Sequence, residues 1–242
     1  MKRLRTSWMI YALIFFSGTT LINAQNVTTP DGYATQNGGT TGGGDATPIT
    51  ISDGAYFRAA VEHDTPAVII VDGKLYVGEV NIGANKTIIG ADENSGLYGG
   101  VIKVREDNCI FQNLIIGPSG AGLDGMEISG AKNIFVTKCS FYDGADGCLD
   151  IVREADYVTV SWCKFYYKDQ STHLNTLMIG NSDDRTSDAG KLHVTLHHNW
   201  FAEKCDQRMP RVRYGHVHIY NNYYNSLDNL YCIGTGVQCH IR

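Results

Sequence analysis

At 242 residues the chain is long enough for a single domain with one core, and its 43% hydrophobic content is that of a globular protein. Glycines are many, at 27, and prolines few, at five. A formal net charge of −5 argues against a nucleic-acid binder, which carries a basic domain, but leaves room for an acidic ligand held by a local cationic patch or a bridging metal.

The chain opens with a secretory layout: a positive MKRLR, a short apolar run from Trp8 to Phe16, and a small-residue stretch ending at Ala24. The apolar run is short for a bilayer span and no stop-transfer pattern follows. Residues 1–24 therefore read as a signal peptide cleaved after Ala24, leaving a secreted, extracellular protein with no membrane attachment. Export permits disulfides among the seven cysteines, though an odd count leaves at least one unpaired. Residues 25–48 are rich in Gly, Thr and Asn with almost no aliphatics, and form either a flexible leader or the extended first segment of a domain over residues 49–242.

In that domain Ile49–Ile51 reads as a short strand. Asp53 can cap a helix whose Ala55, Phe57, Ala60 and Val61 are apolar at helical spacing, and Ala67–Val71 reads as a second strand. From Asn85 onward short β-branched segments recur: TIIGA, CIFQNLIIG, NIFVTKCSF, YVTVSWCKF, LHVTLHHNWF and HVHIYNNYY. Aligning their closing residues makes Asn113, Cys139, Cys163, Asn199 and Asn222 equivalent, at intervals of 26, 24, 36 and 23 residues. Short strands at that period with no helix between them are the sequence form of a parallel β-solenoid, one coil per repeat. An antiparallel sandwich would need two-residue hairpin turns, which are scarce. Asn suits a buried bend because its amide can bond to the neighbouring rung. Cys139 and Cys163 would lie about 4.8 Å apart on adjacent rungs, as a disulfide or as stacked thiols. Cys232 and Cys239 could close a small loop.

Two charged clusters stand out. GMEI and CLDI align on consecutive coils, which points Met126, Ile128, Leu149 and Ile151 inward and Glu127 and Asp150 outward. Asp124 and Asp146 flank the same strands, so three or four carboxylates converge on one face. Hard oxygen ligands in such a cluster suit Ca²⁺. Zinc is disfavoured: His197 and His198 are adjacent and alternate faces in an extended strand, and no CxxC pair exists. The second cluster is QRMPRVR, where Arg208, Arg211 and Arg213 crowd a turn stiffened by Pro210. Like charges so close are costly unless an anion is expected.

From about Thr47 to Tyr224 the chain resembles the extracellular pectate lyases, through NKTIIGA, DGCLDI, YVTVSWCKF, LMIGNSD, HHNWF, QRMPRVR and HVHIYNNYY in the family's order and spacing. The resemblance implies an all-β, single-stranded right-handed parallel β-helix with an N-terminal capping helix. It also implies a monomeric enzyme that cleaves polygalacturonate, the pectin backbone, by calcium-dependent β-elimination. By motif position Arg208 resembles the catalytic base, Arg213 the clamp on a substrate carboxylate, and Asp124, Asp146 and Asp150 the calcium ligands. A guanidinium resists deprotonation, so this base needs nearby positive charge, here Ca²⁺ with Arg211 and Arg213, to disfavour its own. Departures from the pattern are Asn175, where many members carry a carboxylate-binding lysine, and Gly122, where some carry an acid. Lys168 or His173 could replace the first charge, or the subsite differs; Glu127 could replace the second. Family members continue beyond Arg242 with further coils, which are expected to be missing here. The competing readings are a pectin lyase acting on methylated substrate without calcium and a non-catalytic wall-binding β-helix.

Overall fold

From Ile49 onward the chain advances by one strand spacing per turn and lays a short strand on each of three faces. In this computed structural model, which describes residues 27–168 and 173–242, the first face is a nine-stranded sheet running from Ile49–Ile51 to His240–Ile241. The second and third faces are seven-stranded sheets, from Lys74–Tyr76 to Tyr223–Tyr224 and from Val80–Ile82 to Gly234–Thr235. Neighbouring strands are parallel and come from successive turns, so the fold is the expected parallel β-solenoid and not a sandwich. The signal-peptide assignment to residues 1–24 lies outside the described residues.

Side-chain alternation explains the packing. Met126 and Ile128 stand opposite Leu149 and Ile151, and all four are fully buried, while Glu127 and Asp150 pair on the outer side. Inside the second sheet, Phe141, Phe165, Phe201 and Tyr224 form a continuous stack with ring centroids 5.0, 5.2 and 4.9 Å apart. The helix Gly54–Val61 begins as predicted: Asp53 accepts from the backbone N–H groups of Ala55 and Tyr56, and Phe57 and Val61 are buried in the core.

The bend from the first to the second sheet shifts one equivalence. Gln112, Thr137, Ser161, His197 and Tyr220 are in register, so the bend residues are Asn113, Lys138, Trp162, His198 and Asn221, all with φ between 53° and 56°. Cys139, Cys163, Asn199 and Asn222 follow one position later, where Leu114, not Asn113, is their counterpart. Asn113 is the left-handed residue itself, a conformation that Asn tolerates well. The Asn ladder forms as expected at the last two rungs. Asn199 Oδ1 accepts from Cys163 N at 3.0 Å, and Asn222 Oδ1 accepts from Asn199 N at 2.8 Å. All seven cysteines are free thiols, including Cys139 and Cys163, and Cys232 and Cys239 do not close a loop.

Residues 27–48 lie lengthwise along the outer side of the first sheet. The backbone N–H groups of Tyr33, Ala34 and Gly43 donate to the hydroxyls of Thr195, Thr159 and Thr87, and that of Thr41 donates to the Asn108 side chain. This close approach needs glycine: a Cβ on Gly42 would fall 2.1 Å from Thr87 Oγ1, and one on Gly32 2.6 Å from Thr195 Oγ1.

Candidate active site

The solenoid's third sheet and the loops that lead into it from the second sheet assemble the charged residues. Outward positions of this sheet run Lys103, Glu127, Asp150, Met178 and Arg211 on five successive coils. Asp124 and Asp146 stand in the loops just before the strands Met126–Ser129 and Leu149–Val152, and Arg208 in the loop before Arg211–Val212. Asp124, Asp146, Asp150 and Arg208 are thus brought together from three coils, Asp146 and Asp150 sharing one. Burial, then the charges of Asp146 and Glu127, pushes the Asp124 carboxyl up to about 7, against the pull of Arg208. Burial and the neighbouring Asp124 hold Asp150 well above the usual carboxylate range, again opposed by Arg208.

This donor set has the chemistry a hard divalent cation takes. Its oxygens carry negative charge that burial and mutual repulsion make costly, which is the condition a cation relieves. Gly147 leaves the approach open, since a Cβ there would sit 2.8 Å from Asp124 Oδ1. Among the described residues no three His, Cys, Asp or Glu side chains already converge on one point. The residues therefore fit Ca²⁺ in kind, as an open set of oxygens that water and ligand carboxylates would complete, not as a closed cage. Glu127 is otherwise engaged: its carboxylate lies 3.2 Å from Arg153 and 3.7 Å from Arg105.

The arginines are held in different ways. Arg208 has φ of 58°, a left-handed backbone rare for a bulky residue, and its carbonyl accepts from Leu177 N at 2.6 Å. Its Nε is buried with no hydrogen-bond partner, and Nη1 lies 3.7 Å from Met178 Sδ. Arg213 Nη1 reaches the same sulfur at 3.6 Å and donates to the Gly180 carbonyl at 2.9 Å, while Nε pairs with Asp183 at 2.6 Å. Both guanidinium groups thus flank Met178, one rung beyond Asp150. Arg211 is half-buried in its strand, paired with Met178 and Gly234.

Asn175 bridges Gln207, next to Arg208, and its Nδ2 donates to the Asp146 carbonyl at 3.1 Å, while its buried Oδ1 has no partner. It ties the acidic loop to the basic one through its amide. Lys168, one candidate to replace the missing charge, places its ammonium 4.3 Å above the Tyr142 ring. His173 adjoins residues that are not described. Sequence reasoning missed Met178 and Asp183. The second was legible in LMIGNSD, where an acid trails a strand that pairs with VR of the basic turn. His197 and His198 also differ from the strand alternation expected of them: the bend at His198 brings their Nδ1 atoms to 2.7 Å, and His197 Nε2 lies 3.0 Å from Asp31. Beside Asp124 a cleft of about 520 Å³ extends over earlier coils, edged by Lys103, Arg105 and Arg153.

Comparison with known proteins bears on the fold and the family. A family model described as pectate lyase matches residues 1–241. The probable pectate lyase B of Aspergillus flavus is 37% identical over 221 residues, 87% of this chain and 64% of that protein, so the chain spans about two thirds of that relative's length. A pectate lyase from Bacillus sp. N165, solved in complex with trigalacturonate, superposes with a TM-score of 0.67 at 29% identity, covering 81% of this chain and 68% of the other. A pectate lyase bound to a hexasaccharide shares the fold, with a TM-score of 0.77 at 23% identity over 90% and 84% of the two chains. With a solenoid of this build, a matching family model over nearly its whole length and a relative at this identity, the chain belongs to the pectate lyase family.

Proposed function

We propose that the protein is a secreted pectate lyase that cleaves α-1,4-linked polygalacturonate by calcium-dependent β-elimination, giving 4,5-unsaturated oligogalacturonides. The observation that carries this reading is the left-handed, half-buried Arg208, whose guanidinium has a buried, unpartnered Nε and whose charge acts on the raised carboxyls of Asp124 and Asp150. The family membership supports the reaction class.

In this reading Arg208 accepts the proton from C5, beside the uronate carboxyl. The C5–H electron pair becomes the C4–C5 double bond, the C4–O glycosidic bond breaks, and the departing oxygen takes up a proton. Arg213, oriented by Asp183 and the Gly180 carbonyl, binds a substrate carboxylate. Asp124, Asp146 and Asp150 are the residues that would hold calcium, which when bound neutralises carboxylate charge and the enolate-like charge that develops at the reacting centre. Asn175 positions the acidic loop against the basic one, and Lys103, Arg105 and Arg153 edge the cleft through which the acidic chain continues.

The test is to incubate the secreted protein with polygalacturonate and follow the absorbance of the unsaturated product, with calcium and then with chelator. Product is expected with calcium only, and Arg208→Lys is expected to lose turnover on the order of a thousandfold with its fold intact. Product that survives chelation would instead indicate a pectin lyase, and none in either condition a binding β-helix.

A further inference from the structure

Away from the cleft, the outer side of the second sheet alternates aromatic rings with ammonium groups along the solenoid axis. The series begins with Tyr76 and Tyr98, whose rings meet edge-on at 5.6 Å. Lys74 Nζ follows, 5.7 Å from the Tyr98 centroid and 5.1 Å from that of Tyr142, and donates to the Tyr142 hydroxyl at 2.7 Å. Tyr142 stacks on Tyr166 at 5.5 Å. Lys164 is then clamped between Tyr166, at 4.5 Å, and Trp200, at 4.2 Å. Tyr223 closes the series beside Trp200. The strip runs from the first to the last strand of the seven-stranded sheet, six strand spacings or roughly 29 Å.

Its groups are ordered, and all but the buried Tyr142 reach solvent. Register fixes Lys164, Trp200 and Tyr223 in one column, and the Trp200 indole N–H donates to Asn225 at 2.7 Å. Tyr76, Trp200 and Tyr223 remain 64%, 37% and 60% exposed. Among the described residues, the carboxylate paired with these ammonium groups is that of Glu203, 3.1 Å from Lys164. Within this strip the ammonium groups of Lys74 and Lys164 are set between aromatic rings.

That alternation specifies its ligand. A small anion has no use for the rings, and a neutral sugar chain none for the ammonium groups. A polyuronate presents both an apolar pyranose face and a carboxylate on every residue, which is the pairing the strip offers. We propose that the outer face of the second sheet is a second binding surface for an acidic polysaccharide, distinct from the cleft in the third sheet, on which a long polyuronate chain docks. The identity of that chain as the substrate rests on the lyase reading above. Docking would raise the local concentration of polymer at the cleft without adding a contact to the reacting residue.

The experiment compares the full chain with the double variants Lys74→Gln/Lys164→Gln and Lys74→Gln/Trp200→Ala. Retardation in native gels containing polygalacturonate and chelator reads polymer binding, and thermal melting confirms that each variant is folded. Both variants are expected to bind polymer on the order of tenfold more weakly. With calcium, their KM should rise on polygalacturonate, while their kinetics on trigalacturonate, too short to reach both surfaces, match the parent. Folded variants retarded like the parent, or a parent that is not retarded, would overturn the strip. Retardation that depends on the strip in a protein that cleaves neither substrate would instead overturn the lyase reading and leave the strip standing.

Discussion

Asp150 carries opposing demands in one carboxylate. Its neighbours Leu149 and Ile151 are buried to fill the core, and its own burial among Asp124, Asp146 and Glu127 makes its charge costly to hold. A cation removes that cost, and so does deleting the charge. Asp150→Asn is therefore expected to raise the melting temperature of the metal-free protein at pH 8 and to shrink the further rise that calcium produces. An unchanged calcium titration would remove Asp150 from the ligand set. Glu127 and Arg208 show what the sequence could and could not convey at this scale. Strand alternation put Glu127 on the outer face, correctly, but its pairing with Arg105 and Arg153 depends on side chains from the coils on either side. Likewise the crowding of arginines was visible in QRMPRVR, whereas the contacts of Arg208 and Arg213 with Met178 arise only when coils stack.

The strand and its bend form the repeating element, and they were more legible than the site. Ile49–Ile51, Gly54–Val61 and Ala67–Val71 follow directly from periodicity and a capping Asp. The misplacement of Asn113 by one residue has a local cause: two bend positions favour Asn, one for its left-handed backbone and one for its amide, and composition alone does not separate them. The structure does. Asn199 is 1% exposed and bonds Cys163 N at 3.0 Å and the Val160 carbonyl at 2.9 Å. Asn199→Ala leaves both groups buried without a partner and is expected to cost about 2–4 kcal/mol in chemical denaturation. Asn222→Ala, at a partly exposed rung, should cost less. Equal losses would mean that the ladder is not what fixes the bend.

For the molecule as a whole, the acidic cluster sets a pH dependence. Folded Asp124 keeps its proton up to about 7, from an ordinary value of 3.8, so between those values the folded state binds more protons than the unfolded one. Without metal, stability should fall as pH rises across that window, by a few kcal/mol at most, and calcium should restore it at the alkaline end. Melting curves at pH 5 and pH 8, each with calcium and with chelator, read this directly. A metal-free protein that is more stable at pH 8 would contradict the assignment.

The lengthwise course of residues 27–48 changes what kind of object the solenoid is. A stack of coils in which each touches only its neighbours can lose them one at a time from an end. Here Tyr33 is bonded to Thr195, 162 positions away, and Gly43 to Thr87, so one stretch of chain clasps turns that never touch one another. The stretch cannot settle until the coil bearing Thr195 exists, which makes it among the last parts of the chain to lock although among the first to be synthesised. Once locked, fraying of a middle turn must also peel the clasp. The molecule then yields as one unit, where an unclasped stack would unravel.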